Sequence, residues 1–108
     1  MDLTQVFICS IVKSELAYGA FKSRNHELTY RQQNDFITLF VSLPFDDVSA
    51  LIFGRLNAHL ELKGEMIGLK DLQIAAIALA NDLTLVTHNT AEFGRVGGLK
   101  IEDWEVTN

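Results

Sequence analysis

The stretch DLQIAAIALANDLTLVTHNTAEF, residues 71–93, gives the clearest indication of how this chain folds. After Asp71, nine residues follow in which only Gln73 is strongly polar, and so many alanines favour a helix that is packed closely on most sides. A turn at Asn81 and Asp82 leads to TLVT, a strand apolar enough to be central in a sheet. A polar cluster that contains Glu92 follows this strand. A buried helix that leads through a short turn to a buried strand is typical of α/β folds.

The rest of the chain repeats this alternation. We predict strands at Val6–Ser10, Val41–Phe45, Thr84–Thr87 and Leu99–Ile101. We predict helices at Ile11–Arg24, Leu28–Phe40, Val48–Lys63 and Asp71–Ala80, with Ser10 as the cap of the first. The apolar stripes of the first three are expected at Val12, Leu16 and Ala20; at Leu28, Phe36, Leu39 and Phe40; and at Val48, Leu51, Ile52, Leu56 and Leu60. Asp46 and Asp47 begin the third helix and Gly64 ends it. Short connections between alternating elements predict one α/β domain, residues 1–108, with a mainly parallel sheet.

Composition excludes several classes of protein. The 108 residues are 48% hydrophobic and 21% charged, and no apolar run approaches the roughly 18 residues of a membrane span. The amino terminus lacks the pattern of a secretory signal, and the single cysteine, Cys9, is expected to be a buried thiol in a cytoplasmic protein. A net charge of −5 argues mildly against a protein that coats nucleic acid. An enzyme whose carboxylates hold metal ions remains compatible with that charge.

Three acidic residues have positions that suggest a site. Glu15 is expected in about the first turn of the helix after the first strand, Asp71 opens the alanine-rich helix, and Glu92 follows the third strand. Ligands of parallel α/β sheets bind at the carboxyl ends of the strands, where Glu15 and Glu92 are expected. Each acid also has an ordinary structural explanation, as a favourable charge in a first helical turn, an N-cap or a solvated loop residue. The pattern alone leaves both explanations open.

Converging carboxylates would suit a divalent cation. Mg²⁺ prefers oxygen ligands, and a cation relieves the repulsion between carboxylates that lie close together. Zinc is not expected, because His88 has no second histidine at ligand spacing and is more simply explained as a hydrogen-bonded structural residue. The glycine-bracketed segment GEMIG, residues 64–68, lacks the lysine and the position of a phosphate loop. Ser14 has no histidine base nearby in the sequence.

Two stretches resemble the PIN-domain ribonuclease toxins of the VapC type. They are SIVKSELAYGA, residues 10–20, and IGLKDLQIAAIALANDLTLVTHNTAEFGRVGGLKIEDW, residues 67–104. The resemblance implies a three-layer α/β fold and cleavage of RNA that depends on Mg²⁺, with Mn²⁺ as a possible substitute. It also implies a VapB-type antitoxin as partner, a homodimer or larger assembly, and a cytoplasmic location.

The resemblance assigns roles to particular residues. Glu15, Asp71 and Glu92 match three positions of the family's acidic Mg²⁺ site, where they would be both metal ligands and catalytic residues. Thr87 and Asn89 match polar residues that line this site. The basic residues nearest to these positions are Lys13, Lys70 and Arg95. They are candidates for contacts with RNA phosphates, with solvated surface charge as the alternative.

One departure from the family pattern affects the expected activity. Members of the family open with a strand that ends in Asp-Thr-Asn, whose aspartate is the first metal ligand and which is central in the sheet. This chain begins just ahead of the segment that follows in those proteins, and Asp2 is at the wrong end of its strand to replace that aspartate. We therefore expect a sheet without its first, central strand. The alternative function is a non-catalytic remnant that serves as an antitoxin-binding or dimerisation module; a phosphatase is a third possibility without a recognition element.

Overall fold

Helices and strands alternate through residues 7–103, the part of the chain that the computed structural model describes. The strands are β1 (Phe7–Cys9), β2 (Val41–Leu43), β3 (Thr84–Val86) and β4 (Lys100–Glu102). The helices are α1 (Ser10–Lys22), α2 (His26–Ile37), α3 (Asp47–Lys63), α4 (Leu69–Ala80) and α5 (Thr90–Phe93). Asp2, Val6 and Trp104, which entered the sequence analysis, lie outside the described residues. The predicted α/β class is confirmed, and each predicted element is present with its ends shifted by a few residues.

The described strands form two parallel pairs. β1 pairs with β2, with Ile8 opposite Ser42, and β3 pairs with β4, with Leu85 opposite Ile101. The chain divides into two compact units, residues 1–44 (unit 1) and residues 45–108 (unit 2). Between residues 7 and 103, every helix is too short or too polar to cross a membrane.

Unit 1 is built around the pair of helices α1 and α2. Ala20 of α1 is fully buried, as the predicted stripe of this helix requires, and Cys9 at the end of β1 is a buried free thiol. The hydroxyl of Ser23 donates to the carbonyl of Ala20 (2.6 Å) and fixes the turn after α1. Asn25 caps α2, because its side chain accepts the N–H of Leu28 (3.4 Å). These local bonds set the hairpin between the two helices.

Ser10 does not cap α1, so that prediction is wrong. Cys9 occupies the N-cap position and Ser10 is the first helical residue. The hydroxyl of Ser10 is directed to the carbonyl of Leu43 on β2, at 3.5 Å. The strand passes directly into the helix, so the hydroxyl bonds to the neighbouring strand and not to the helix backbone.

Most of the predicted apolar stripe of α2 is exposed. Leu28, Phe36 and Leu39 are 45%, 61% and 57% exposed. The residues that are buried or half-buried lie at a spacing of four on the other side of the helix: Thr29, Gln33 and Ile37. Apolar spacing identified a real stripe, but that stripe is on the outer side of the helix pair.

The core of unit 2 lies between α3 and α4. Its buried members are Leu60, Ile67, Leu72, Ala75, Phe93 and Val96. The alanines allow α4 to approach α3 closely, and Ala75 and Ala76 are fully buried. The stripe of α3 is inward only in part, since Val48 and Leu51 are 56% and 61% exposed whereas Leu60 is 1% exposed. The exposed members of the stripe thus lie near the start of α3, although Ser49 in its first turn is fully buried.

Both ends of α3 are capped as their sequence predicts. The carboxylate of Asp46 accepts the N–H of Ser49 (2.9 Å), and this hydrogen bond holds the pKa of Asp46 below its ordinary value. Gly64 ends the helix in the left-handed conformation, with φ of 68°. A residue with a β-carbon adopts this conformation only with strain, which explains glycine here.

Replacing Gly64 by alanine is expected to lower the free energy of unfolding by about 1 kcal/mol, because the left-handed conformation costs a residue with a β-carbon roughly that much. Gly54, in the middle of α3, is the matched control, since a β-carbon at either glycine meets no atom within 4 Å. Gly54→Ala is expected to raise stability by about 0.5–1 kcal/mol. Urea denaturation measures the free energy of unfolding of both variants. Changes of the same sign in the two variants would contradict this explanation of Gly64.

Candidate active site

The carboxyl end of β3 leads into the polar residues Thr87, His88 and Asn89. Thr87 continues the pairing with β4, because its N–H donates to the carbonyl of Glu102 (2.9 Å). Its side-chain oxygen accepts the backbone N–H of Asn89 (3.0 Å). Asn89 then occupies the N-cap position of α5, but its side chain makes no capping hydrogen bond. The amide of Asn89 is therefore available to other partners.

Those partners are two carboxylates. Nδ2 of Asn89 donates to Oδ2 of Asp71 (3.3 Å) and to Oε2 of Glu92 (3.3 Å). An asparagine amide has two N–H donors, so both bonds form at once. The distances are slightly longer than those of strong hydrogen bonds. Asp71 and Glu92 thus lie on either side of one amide at the carboxyl end of β3.

The core of unit 2 fixes where these acids lie. Asp71 is followed by Leu72, which is 1% exposed, and Glu92 is followed by Phe93, which is 3% exposed. Both apolar neighbours belong to the same core cluster. Asp71 and Glu92 are themselves half-buried. The two segments are therefore anchored beneath the acids, which lie at the rim of the core.

Asp71 is not the N-cap of α4, so this structural explanation for its carboxylate is wrong. The N-cap is Gly68, without a side-chain capping bond, and Asp71 is the third residue of the helix. A negative charge in a first turn is still favoured by the helix dipole. That stabilisation applies to any acid in the turn and does not account for the shared amide of Asn89.

The arrangement favours binding of a cation. Two carboxylates in one place repel each other, and the amide between them carries no net charge. Mg²⁺ commonly binds to one or two carboxylates, with waters and substrate oxygens as its other ligands. Within residues 45–103, no third His, Cys, Asp or Glu side chain joins the pair in a group that could hold a metal ion. The pair thus fits Mg²⁺ or Mn²⁺ in a site that water or substrate completes.

Glu15, the third predicted acid, belongs to unit 1. The first turn of α1 contains no acidic residue, because the helix begins at Ser10. Glu15 is therefore the sixth residue of α1, just beyond the first turn, and its side chain is exposed. Its neighbour Ser14 donates its hydroxyl to the carbonyl of Ile11 (2.7 Å), an ordinary bond within the helix.

The three basic residues that are nearest to the predicted acids in the sequence differ in their contacts. Nζ of Lys13 donates to Oγ of Ser42 (3.4 Å) in unit 1. Lys70 is exposed, one residue before Asp71. Nη1 of Arg95 donates to the carbonyl of Met66 (2.8 Å). Arg95 thus has a structural partner that the sequence did not suggest.

One further feature of this region agrees with the sequence prediction, and another was missed. His88 was expected to be an ordinary hydrogen-bonded residue, and its Nδ1 lies 3.2 Å from Oδ2 of Asp103. The short helix α5 was missed, because four residues are too few for a helical period to be recognised. The signal for it was the tetrapeptide NTAE at residues 89–92, which has the spacing of a capping box. In the structure the two end residues of that tetrapeptide, Asn89 and Glu92, bond to each other through their side chains.

Comparison with known proteins identifies the family to which this chain belongs. The family model described as PIN domain matches residues 1–99, and the chain belongs to this family. Its relatives include the ribonuclease VapC2 of Rickettsia felis, which is 38% identical over 100 residues, 93% of this chain and 75% of that protein. They also include the tRNA(fMet)-specific endonuclease VapC of Shigella flexneri, 39% identical over 90% of this chain and 74% of that protein. The chain thus spans about three quarters of the length of these relatives.

Solved structures give the same assignment of fold. The complex VapBC-1 from nontypeable Haemophilus influenzae contains a chain with a TM-score of 0.90 and 32% identity, covering 96% of this chain and 78% of its own. VapBC2 from Rickettsia felis, bound to a DNA fragment from its promoter, contains one with a TM-score of 0.88 and 38% identity, covering 94% of this chain and 76% of its own. The predicted resemblance to VapC-type PIN domains is confirmed.

Proposed function

We propose that this chain is a VapC-type toxin, an endoribonuclease that depends on Mg²⁺ and hydrolyses phosphodiester bonds of RNA. The observation that carries the proposal is the amide of Asn89, which bonds to the carboxylates of Asp71 and Glu92 at the carboxyl end of β3. Relatives that are more than a third identical to this chain are named ribonucleases or endonucleases. The family resemblance implies that these acids hold the metal ion of the nuclease, and their shared hydrogen bonds to Asn89 support that proposal.

Each residue of the site has a proposed task. Asp71 and Glu92 bind Mg²⁺ or Mn²⁺. For Glu15, metal binding is what the family resemblance implies. A bound divalent cation would neutralise charge on the phosphate and polarise it. Asn89 keeps the two carboxylates of unit 2 apart and oriented, and Thr87 fixes the backbone of Asn89. Lys13 and Lys70 are the candidates for contacts with the phosphates that flank the cleaved bond.

The proposed partner is a VapB-type antitoxin. This rests on the solved relatives from Haemophilus influenzae and Rickettsia felis, which are VapBC complexes. The proposed location is the cytoplasm, where RNA is available and a free buried thiol such as Cys9 stays reduced. Coexpression with a VapB-type protein, followed by size-exclusion chromatography, tests whether the two elute together.

We also propose that the chain forms a dimer or a larger assembly through the outer sides of α1 and α2. Tyr18, Phe21 and Phe36 are 64%, 62% and 61% exposed, and Phe21 stacks on Tyr30 with ring centroids 5.5 Å apart. Aromatic surface of this kind commonly marks an interaction site. Phe21→Glu is expected to shift the assembly towards monomer in light scattering at micromolar concentration. Leu62→Glu, at an 89% exposed position on α3, is the control and should leave the assembly unchanged. A well-folded wild-type monomer would contradict the proposal.

A cleavage assay tests the proposed activity directly. The purified chain is incubated with RNA in Mg²⁺, in Mn²⁺ and after chelation with EDTA. We expect internal cuts with either metal, no cuts after chelation, and recovery when Mg²⁺ is returned. Cleavage that survives chelation would contradict the metal dependence.

The alternative is a binding module without catalysis, and the exposed aromatic surface of α1 and α2 favours it, because such a surface needs a partner and not a metal. The assay separates the two functions. A chain that forms the antitoxin complex but leaves RNA intact in Mg²⁺ and in Mn²⁺ would be the binding module.

A further inference from the structure

Arg95 makes two contacts that join the segments carrying the two acids of unit 2. Its guanidinium donates through Nη1 to the carbonyl of Met66 at 2.8 Å. Its backbone N–H donates to the carbonyl of Glu92 at 3.1 Å. One residue therefore holds the turn after α5 and also the loop that precedes α4.

The Met66 end of this link leads directly to Asp71. Met66 is two residues before Gly68, the N-cap of α4, and the intervening Ile67 is buried. The carbonyl of Gly68 accepts the N–H of Leu72 (2.9 Å), which closes the first turn of the helix around Asp71. A shift of the Met66 carbonyl would therefore move the start of α4 and the carboxylate of Asp71 with it.

The connection from Arg95 to Glu92 is also short. Phe93 and Val96, on either side of the Gly94–Arg95 turn, are each 3% exposed and belong to the same core cluster as Ile67. Phe93 and Val96 thus anchor the turn to the core. The side chain of Arg95 is exposed and reaches the loop before α4, where it bonds to Met66. Asn89 joins the two carboxylates directly, whereas Arg95 joins the backbones that carry them.

We propose that Arg95 is a positioning residue: its bond to the Met66 carbonyl sets the separation of the Asp71 and Glu92 carboxylates for a divalent cation. The inference rests on the proposed metal site and goes beyond it, because it replaces the expected role of Arg95 as a phosphate contact. A guanidinium is suited to this task, since it stays charged and its N–H groups have fixed directions. A single exposed hydrogen bond of this kind contributes little to global stability, so its effect should be local.

The test compares Arg95→Met with Lys100→Met. Both remove one positive charge from unit 2, but Lys100 pairs with Asp82, whose side chain is 91% exposed, at 3.2 Å. Amide hydrogen exchange by NMR is measured without metal, and Mn²⁺ affinity by calorimetry. We expect faster exchange at residues 67–72 in Arg95→Met alone, with unchanged exchange in the second half of α3 as evidence of an intact fold. We also expect about tenfold weaker Mn²⁺ binding, the lower end of the effect of groups that orient metal ligands.

RNA binding in EDTA distinguishes the two roles of Arg95. A positioning residue leaves the salt dependence of RNA affinity equal in the two variants. A phosphate contact lowers the slope of log affinity against log salt by about 0.7–0.9 in Arg95→Met alone. That loss of slope, with unchanged exchange at residues 67–72, would overturn the inference. If the wild type binds no Mn²⁺, the proposed function fails. Unchanged amide exchange at residues 67–72 in Arg95→Met refutes the link made by Arg95, whatever the result for Mn²⁺.

Discussion

Asp71→Asn is expected to reduce RNA cleavage by at least about 100-fold and to abolish measurable Mg²⁺ binding. Loss of a group that only orients a metal ligand already costs 10–100-fold, so loss of a charged ligand should cost more. The substitution keeps the size and shape of the side chain and can preserve a bond to Asn89 through its remaining oxygen. It removes one of the two negative charges that meet at the amide of Asn89. Cleavage assays and calorimetry with Mg²⁺ measure the two effects.

Asp82→Asn is the matched control for this substitution. Asp82 is on the surface of the same unit and has a positive φ of 51°, a conformation that asparagine also accepts. Asp82→Asn removes one negative charge, as Asp71→Asn does, at a position that does not contact the site. We expect cleavage and Mg²⁺ affinity close to those of the wild type.

Thermal unfolding adds a test that does not depend on catalysis. A ligand that binds only the folded state raises its stability by mass action. Mg²⁺ should therefore raise the midpoint of the wild type and of Asp82→Asn, but not that of Asp71→Asn. If Asp71 were only a favourable acid in the first turn of α4, its replacement would cost about 0.3–1 kcal/mol and leave the response to Mg²⁺ unchanged. That outcome would contradict the metal site.

The order of elements was predictable because it depends on local patterns that are strong in this chain. The apolar run after Asp71 could only be a buried helix, and Ala75 and Ala76 are indeed fully buried. Gly64 and Asp46 have the residue types that helix ends require, and both cap α3. The resemblance to VapC-type PIN domains depended on such stretches and is confirmed by the match to the family.

What failed depends on tertiary contacts that no local pattern encodes. In α2 the apolar residues Leu28 and Phe36 are exposed, whereas the half-buried Thr29 bonds through its hydroxyl to Ser23 and to the carbonyl of Asn25. The position of Asp71 as third residue of α4 depends on Gly68 beginning the helix without a side-chain cap. The bond from Arg95 to Met66 joins residues 29 positions apart, a separation at which sequence periodicity carries no information.

Leu72→Ala is expected to lower the free energy of unfolding by about 3 kcal/mol, within the 2–5 kcal/mol typical of large-to-small changes in a core. Leu72 is 1% exposed and packs in the cluster that contains Leu60, Ala75 and Phe93. The alanines of α4 already bring the helices close together, so little of the cavity can be closed by further approach. A domain of this size has about 5–15 kcal/mol of stability in total, so the loss should be large in urea denaturation.

Leu62→Ala is the control, because Leu62 is 89% exposed on α3 and its replacement should change stability by less than about 0.5 kcal/mol. Equal losses in the two variants would mean that the core does not lie between α3 and α4. Leu72 is also the residue that anchors Asp71 to the core. At a temperature where Leu72→Ala is still folded, its Mg²⁺ affinity should therefore fall while that of Leu62→Ala does not. A variant that loses stability but keeps full Mg²⁺ affinity would show that the backbone on the loop side, where Arg95 bonds to Met66, is sufficient to position Asp71.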